Sequence, residues 1–309
     1  MAYIGLDIGG TNTKGVLLTD GSLRASYSVP TQYGAQGVIA SAKQVVEHLV
    51  NESGLELAEI AGIGAGIPGV VELETGQVTH AVNLGITEPL ALAAALTQQL
   101  EIPVVVDNDL NIAALGAAQF FPNPTGQPVD LAFLSLGTGV AAGYVFDGVV
   151  RRGAGVVGEV GHIPIDPTGP LCNCGQRGCL ELYCSGSALD RLWSAEGSIP
   201  GPQALFNAAA AGDADAIARR DAYLAAIAIG VKNLVLAVGP RLVVIGGGVV
   251  RLGDRLLDGV QQALRELAAS SAFLQSLDLP DRVALAPADI PVAAIGAATL
   301  AQQYLASAA

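Results

Sequence analysis

Tyr3-Ile-Gly-Leu-Asp7-Ile-Gly9-Gly10-Thr11-Asn12-Thr-Lys14-Gly-Val-Leu-Leu18 is an apolar run that breaks at a Gly-Gly-Thr turn and resumes as a second apolar run. Ala132-Phe-Leu-Ser-Leu-Gly137-Thr138-Gly139-Val-Ala-Ala-Gly-Tyr-Val-Phe146 repeats the pattern: apolar strand, glycine–threonine turn, apolar strand. Short apolar runs bounded by turn residues read as strands buried in a sheet. One such hairpin in each half of the chain reads as an internal duplication.

Working outward, strands alternate with helices in both halves. The first half adds strands near 23–29, within 62–82 and at 102–106, and helices at 36–51, 88–100 and 112–118. After the second hairpin (131–136 and 140–146) come a glycine-rich loop at 153–161 and helices near 186–196, 202–211 and 214–237. A buried strand at 241–245, a helix at 250–270, a strand near 283–287 and a helix at 293–306 complete the pattern. This alternation predicts an α/β fold. Two similar sheets predict two lobes with a cleft: residues 1–117 plus 293–309, and residues 118–292. In such sheets ligands sit at the carboxyl ends of the strands.

Composition narrows the function. The chain has 309 residues, of which 51% are hydrophobic but only 5% aromatic, with 39 glycines. A formal net charge of −13 without basic runs argues against nucleic-acid binding, which depends on neutralising phosphate. The uncharged stretch 110–129 is interrupted by Asn, Gln and Pro, and 290–309 carries Gln302 and Gln303, so neither reads as a membrane span. The opening Met-Ala-Tyr-Ile-Gly lacks a basic segment followed by an apolar core, which predicts a cytoplasmic protein.

The chemistry-bearing residues fall at the predicted strand ends. Asp7, Gly9, Gly10, Thr11 and Lys14 suit a phosphate: glycines let backbone approach closely, Thr11 adds a donor, Lys14 balances charge, and Asp7 suits magnesium held through water. The order of a Walker loop is absent. Gly137-Thr138-Gly139 is a second turn of this kind, and two such hairpins can clamp one nucleotide. Gly246-Gly247-Gly248, after strand 241–245, lets a ligand ring lie against backbone or lets a helix pack tightly on the strand. Asp107-Asn108-Asp109-Leu-Asn111 places two carboxylates and two amides at one strand end, which is costly unless they are solvated or used. Asn111 or Asp109 as helix cap accounts for one of the four. Asp109 is the favoured general base.

Cys172-Asn-Cys174-Gly-Gln-Arg-Gly-Cys179-Leu-Glu181, with His162 ten residues before Cys172, gathers three of the four cysteines and one of the three histidines. Thiolates and imidazole at this density suit a closed tetrahedral zinc site. Inert buried thiols or disulfides are the alternatives. Cys184 reads as an unliganded thiol. Glu159 and Glu181 flank the ligands, so one metal would fix two carboxylates.

Asp7-x-Gly-Gly-Thr-x-x-Lys14, Gly66-Ile-Pro-Gly69, Asn108-Asp109-x-Asn111, Gly137-Thr-Gly139, Gly158-Glu-Val-Gly-His162, the Cys172/Cys174/Cys179 set and Ile245-Gly-Gly-Gly248 stand in one order. That order resembles the ROK family of repressors and sugar kinases, within the actin-like ATPase superfamily. The resemblance implies the duplicated, ribonuclease H-like, two-lobed fold and ATP-dependent phosphorylation of a hexose at its 6-hydroxyl, with glucose leading. It implies Asp109 as catalytic base and Gly69, Asn83, Asn108, Glu159, His162 and Glu181 as sugar contacts. Residues 9–12 and 137–139 would be phosphate hairpins, and Gly246–Gly248 would lie on the adenosine side. His162, Cys172, Cys174 and Cys179 would bind a structural zinc, and magnesium would accompany ATP. A dimer or tetramer is implied too. Many family glucokinases carry an aromatic residue where Asn83-Leu-Gly-Ile86 has Ile. This leaves other hexoses or N-acetylhexosamines, a polyphosphate donor, and a sugar-sensing regulator as alternatives. The family's repressors carry a DNA-binding domain ahead of the first glycine motif, for which Asp7 leaves no room.

Overall fold

The computed structural model describes residues 1–121, 126, 129–153 and 157–306, with the side chain of Ala306 excepted. Parts of the stretch 110–129 and of the glycine-rich loop 153–161 thus lie outside the described residues, as do 307–309. The chain divides into two compact units, Met1–Pro128 with Gly148–Gly155 and Asp289–Ala309, and Val129–Asp147 with Val156–Ala288. Against the expected lobes, Gly148–Gly155 goes with the first unit and the final segment begins earlier, at Asp289.

The sheet of the first unit runs, edge to edge, Ser22–Pro30, Asn12–Thr19, Ala2–Ile8, Ile60–Ile67 and Val104–Asn108. The first three are antiparallel neighbours; Ile60–Ile67 pairs in parallel with Ala2–Ile8, and Val104–Asn108 in parallel with Ile60–Ile67. Helix Ala35–Ser53 buries Val38, Val45, Val46 and Leu49 in one core with Ile4, Leu6, Ile8 and Leu17. On the other face lies helix Val292–Ala306, drawn close by glycines. A Cβ at Gly5 would lie 1.9 Å from the carbonyl oxygen of Ala294, and one at Gly64 1.8 Å from that of Ala297. No larger residue permits that approach of helix to sheet.

In the second unit the strands pair in the order Val140–Phe146, Leu131–Leu136, Leu242–Gly246 and Val283–Leu285, the first pair antiparallel and the others parallel. This matches the order in the first unit, antiparallel hairpin then parallel strands, as the duplicated sequence pattern predicts. Helix Ala214–Val238 is long and apolar enough by length and composition to cross a membrane. Its Tyr223, Ile227, Val231 and Leu234 instead join Leu134, Leu205 and Ile245 in the core.

Several predicted elements shift. Helix 88–100 begins at Leu92, because Leu90–Ala91 pair with Gln77–Thr79 as an edge strand. Helix 250–270 divides into a 3-10 stretch, Gly248–Leu252, and helix Asp254–Ala268, separated by Gly253 at φ 60°. The strand expected at 102–106 runs Val104–Asn108, and the following helix starts at Asp109 rather than 112.

Candidate active site

In the first unit the carboxyl ends of Ala2–Ile8 and Val104–Asn108 carry the acidic residues. Asp7 pairs in register with Lys14 across the hairpin, so the two side chains share a face. The Asp7 carboxyl is pushed up from 3.8 to about 6, first by burial, then by the charge of Asp109, with Lys14 opposing. Asp109 opens the helix Asp109–Ala118, and burial raises its carboxyl as well, against the pull of the Leu110 N–H 3.0 Å from Oδ1. A carboxylate with raised proton affinity at a strand end is equipped to accept a proton.

Asp107 and Asn108 lie within the strand, and each is spoken for. Asp107 is 2% exposed. Its Oδ2 accepts from Arg152 Nε at 2.9 Å and from Nη2, and its Oδ1 accepts from the Asn108 N–H at 2.7 Å and Asn111 Nδ2 at 2.8 Å. The guanidinium, donating twice to that one oxygen, offsets the cost of burying the charge. Asn108, neither Asn111 nor Asp109, is the helix cap: its Oδ1 accepts from the Leu110 N–H at 3.0 Å. The cap falls there because the strand stays extended through Asn108, at φ −66° and ψ 144°. Asn108 Nδ2 donates to the Gly69 carbonyl at 3.0 Å, joining two of the predicted sugar contacts.

The turn at 9–12 closes with Gly9 N–H donating to the Asn12 carbonyl at 3.0 Å. Thr31 braces it: its Oγ1 donates to the Gly9 carbonyl at 2.7 Å and its N–H donates to the Thr11 carbonyl at 2.9 Å. Gly10, Thr11, Asn12 and Lys14 remain exposed, as does Asn83 in the 3-10 turn Val82–Leu84. A Cβ on Gly10 would lie 3.7 Å from the Asn83 carbonyl, an ordinary contact that places Asn83 beside the turn.

In the second unit Gly137 N–H donates to the Gly139 carbonyl at 3.0 Å, closing the matching turn. Beside it opens a cavity of about 400 Å³, whose walls include Gly137, Thr138, Ser187, Gln203, Gly248 and Arg251. Of the three glycines 246–248, Gly248 alone faces open space. A Cβ on Gly246 would strike the Phe133 ring at 2.1 Å, and one on Gly247 the Leu136 carbonyl at 2.4 Å. Packing therefore explains the first two. Ser187, Gln203 and Arg251 escaped the sequence reading because nothing in their local pattern marks them.

His162, Cys172, Cys174 and Cys179 converge, with one ligand atom from each lying within 4.8 Å of all the others. Cys174 Sγ and Cys179 Sγ are 3.6 Å apart, and Cys172 Sγ is 3.8 Å from His162 Nδ1. A disulfide needs about 2.05 Å, whereas two thiolates on one tetrahedral zinc stand ~3.8 Å apart for Zn–S bonds near 2.3 Å. The donor set and its spacing fit zinc. Gly175 at φ 91° and Gly178 at φ 67° turn the loop, and Gln176 Nε2 donates to the His162 carbonyl at 3.0 Å. The Gln176 N–H, with its side-chain amide, lowers the Cys174 thiol to about 6, favouring the thiolate that a metal needs. His162 turns Nδ1 to the cysteines and Nε2 toward Glu159, 4.0 Å away and exposed. Cys184 stands apart from the cluster, buried, its Sγ donating to the Leu180 carbonyl.

The ROK family profile matches residues 3–304. The chain belongs to the ROK family. Among its relatives, the glucokinase of Halalkalibacterium halodurans is 34% identical over 84% of this chain and 84% of its own. The ROK hexokinase of Thermus thermophilus, a crystal structure, superposes with a TM-score of 0.78 at 30% identity, over 99% of this chain and 100% of that one. A ROK family glucokinase from Streptomyces griseus, solved with glucose and AMPPNP, gives a TM-score of 0.77 at 29% identity, over 98% and 100%. The fold is that of the ROK kinases within the actin-like ATPase superfamily.

Proposed function

We propose that the protein is an ATP-dependent hexose kinase that transfers the γ-phosphoryl group to the 6-hydroxyl of glucose. The observation that carries this reading is half-buried Asp109, its proton affinity raised by desolvation, at the head of a capped helix in a chain 34% identical to a glucokinase over 84% of its length.

Asp109 takes the hydroxyl proton as the sugar oxygen attacks the γ-phosphorus in line; the bond to the bridging oxygen breaks and ADP leaves. Asn108 and the Gly69 backbone, bonded to each other, orient the sugar with Asn83. Glu159, His162 and Glu181 take its remaining hydroxyls. The turns at 9–12 and 137–139 bind phosphate through backbone N–H groups and the hydroxyls of Thr11 and Thr138, and Lys14 balances charge. The 400 Å³ cavity beside Gly248 takes the nucleoside. Magnesium arriving with ATP would neutralise phosphate charge, and Asp7 would hold it through water. Zinc would be held by His162, Cys172, Cys174 and Cys179, and its role would be structural, since four protein ligands leave no open position. Free thiols and a thiolate metal site suit the reducing cytoplasm. Exposed Leu236, Val238 and Phe273, in helices after 186, support assembly into a dimer or tetramer, which sedimentation over a dilution series tests.

The decisive experiment measures ADP release from Mg-ATP across glucose, mannose, fructose and N-acetylhexosamines, with a polyphosphate control. Glucose turnover that falls at least ~10²-fold in Asp109→Asn, with glucose binding retained, is expected. Undiminished turnover in that variant refutes the assignment.

A further inference from the structure

The Gly137–Gly139 turn is held from the side by one short stretch, Glu181–Gly186. The Val140 N–H donates to Glu181 Oε2 at 3.0 Å, and the Gly186 N–H donates to the Gly137 carbonyl at 2.7 Å. Gly139 is shaped to this arrangement. A Cβ there would lie 2.5 Å from Glu181 Oε2 and 3.4 Å from its Cδ, with no other neighbour within 4 Å, and the backbone is outside the left-handed region. The carboxylate alone therefore excludes a side chain at 139. Glu181 in turn rides on the metal loop, two residues beyond Cys179, whose carbonyl accepts from the Leu182 N–H at 3.0 Å.

We infer that Glu181 is a positioning residue for the phosphate-binding turn, a role separate from any contact with the sugar. Its Oε2 takes the Val140 N–H out of the anion cradle and fixes the turn so that the groups of Thr138 and Gly139 stay available to phosphate. Oε1 remains for a hydroxyl. The metal loop thus sets the geometry of the nucleotide turn as well as that of its own carboxylates. This inference rests on the kinase reading above, in which residues 137–139 bind donor phosphate.

Calorimetric binding of ADP in the absence of sugar tests it, with thermal melts to verify folding. Glu181→Ala is expected to weaken ADP about tenfold, the loss of one hydrogen bond that fixes the turn. Glu181→Gln keeps an oxygen that accepts from the Val140 N–H and is expected to bind ADP within about twofold of the parent, an effect below ~0.5 kcal/mol. Gly139→Ala displaces the carboxylate and is expected to match Glu181→Ala. In the double variant the obstructing oxygen is gone, so the two effects should not add. Parental ADP affinity in Glu181→Ala, or additive losses in the double variant, overturns the inference while leaving the kinase reading intact. A parent protein that binds no ADP overturns both. Should Glu181→Ala fail to fold, Gly139→Ala compared with Glu181→Gln decides.

Discussion

Asp7 carries a charge that the folded chain holds at a cost. Its carboxyl is raised from 3.8 to about 6 by burial and by neighbouring Asp109. A group whose folded value lies above its unfolded one stabilises the fold when protonated. That contribution is complete below pH 3.8 and is lost as pH rises through about 6. At 1.36 kcal/mol per pH unit, the full loss is about 3 kcal/mol. Asp7→Asn, neutral and nearly isosteric, escapes it. Ligand-free Asp7→Asn, without divalent cations, should therefore be more stable than the parent by up to about 3 kcal/mol at pH 8, and nearly equal to it at pH 4. Urea titrations of both proteins at half-unit steps from pH 4 to 8 measure the difference. Saturating Mg-ADP should shrink it, because magnesium favours the ionised carboxylate. An advantage that is absent at pH 8, or as large at pH 4, refutes the reasoning. The same variant should turn over poorly, trading activity for stability.

Arg152→Met strands the buried Asp107 carboxylate and should cost ~3–5 kcal/mol in urea unfolding; an unchanged midpoint would show that the pair contributes nothing. Gly64→Ala forces helix Val292–Ala306 off its strand and should destabilise by about 1–3 kcal/mol or more, measured in the same way, with a cost under a few tenths disproving the close approach. Cys174→Ala should lower zinc content by elemental analysis, lower the Tm and raise the glucose KM. An unchanged KM in zinc-free protein would cut the link between the metal and the sugar contacts.

The hairpins were legible because their reading needed only local pattern: Leu131–Leu136 and Val140–Phe146 fall where the apolar runs and the Gly-Thr-Gly turn put them. The metal cluster was legible for a related reason, since three of its four ligands lie within eight residues and turn on two glycines. What sequence reading missed depends on partners far along the chain. The strand was expected to stop at 106, just before Asp107 and Asn108, because polar residues seldom end a buried strand. Arg152, 45 residues away, makes it possible. The cap moved to Asn108 for the same reason. For Gly246 and Gly247 the sequence left a ligand contact and tight packing both open; their neighbours are Phe133 and Leu136 on an adjacent strand, a pairing no local window contains.

The glycine-mediated seat of helix Val292–Ala306 on the first sheet has a consequence for synthesis. The strands of that sheet precede the second unit along the chain, yet the helix covering one of its faces emerges after the whole of that unit. Until that helix is made the nascent chain holds an unfinished layer, and the residues of the second unit, Val129–Asp147 and Val156–Ala288, are completed before it. The second unit is thus free to fold first, and the first is completed only once Val292–Ala306 has emerged. A chain cut short before Val292 would keep one complete unit and present the other's bare strands to chaperones and proteases.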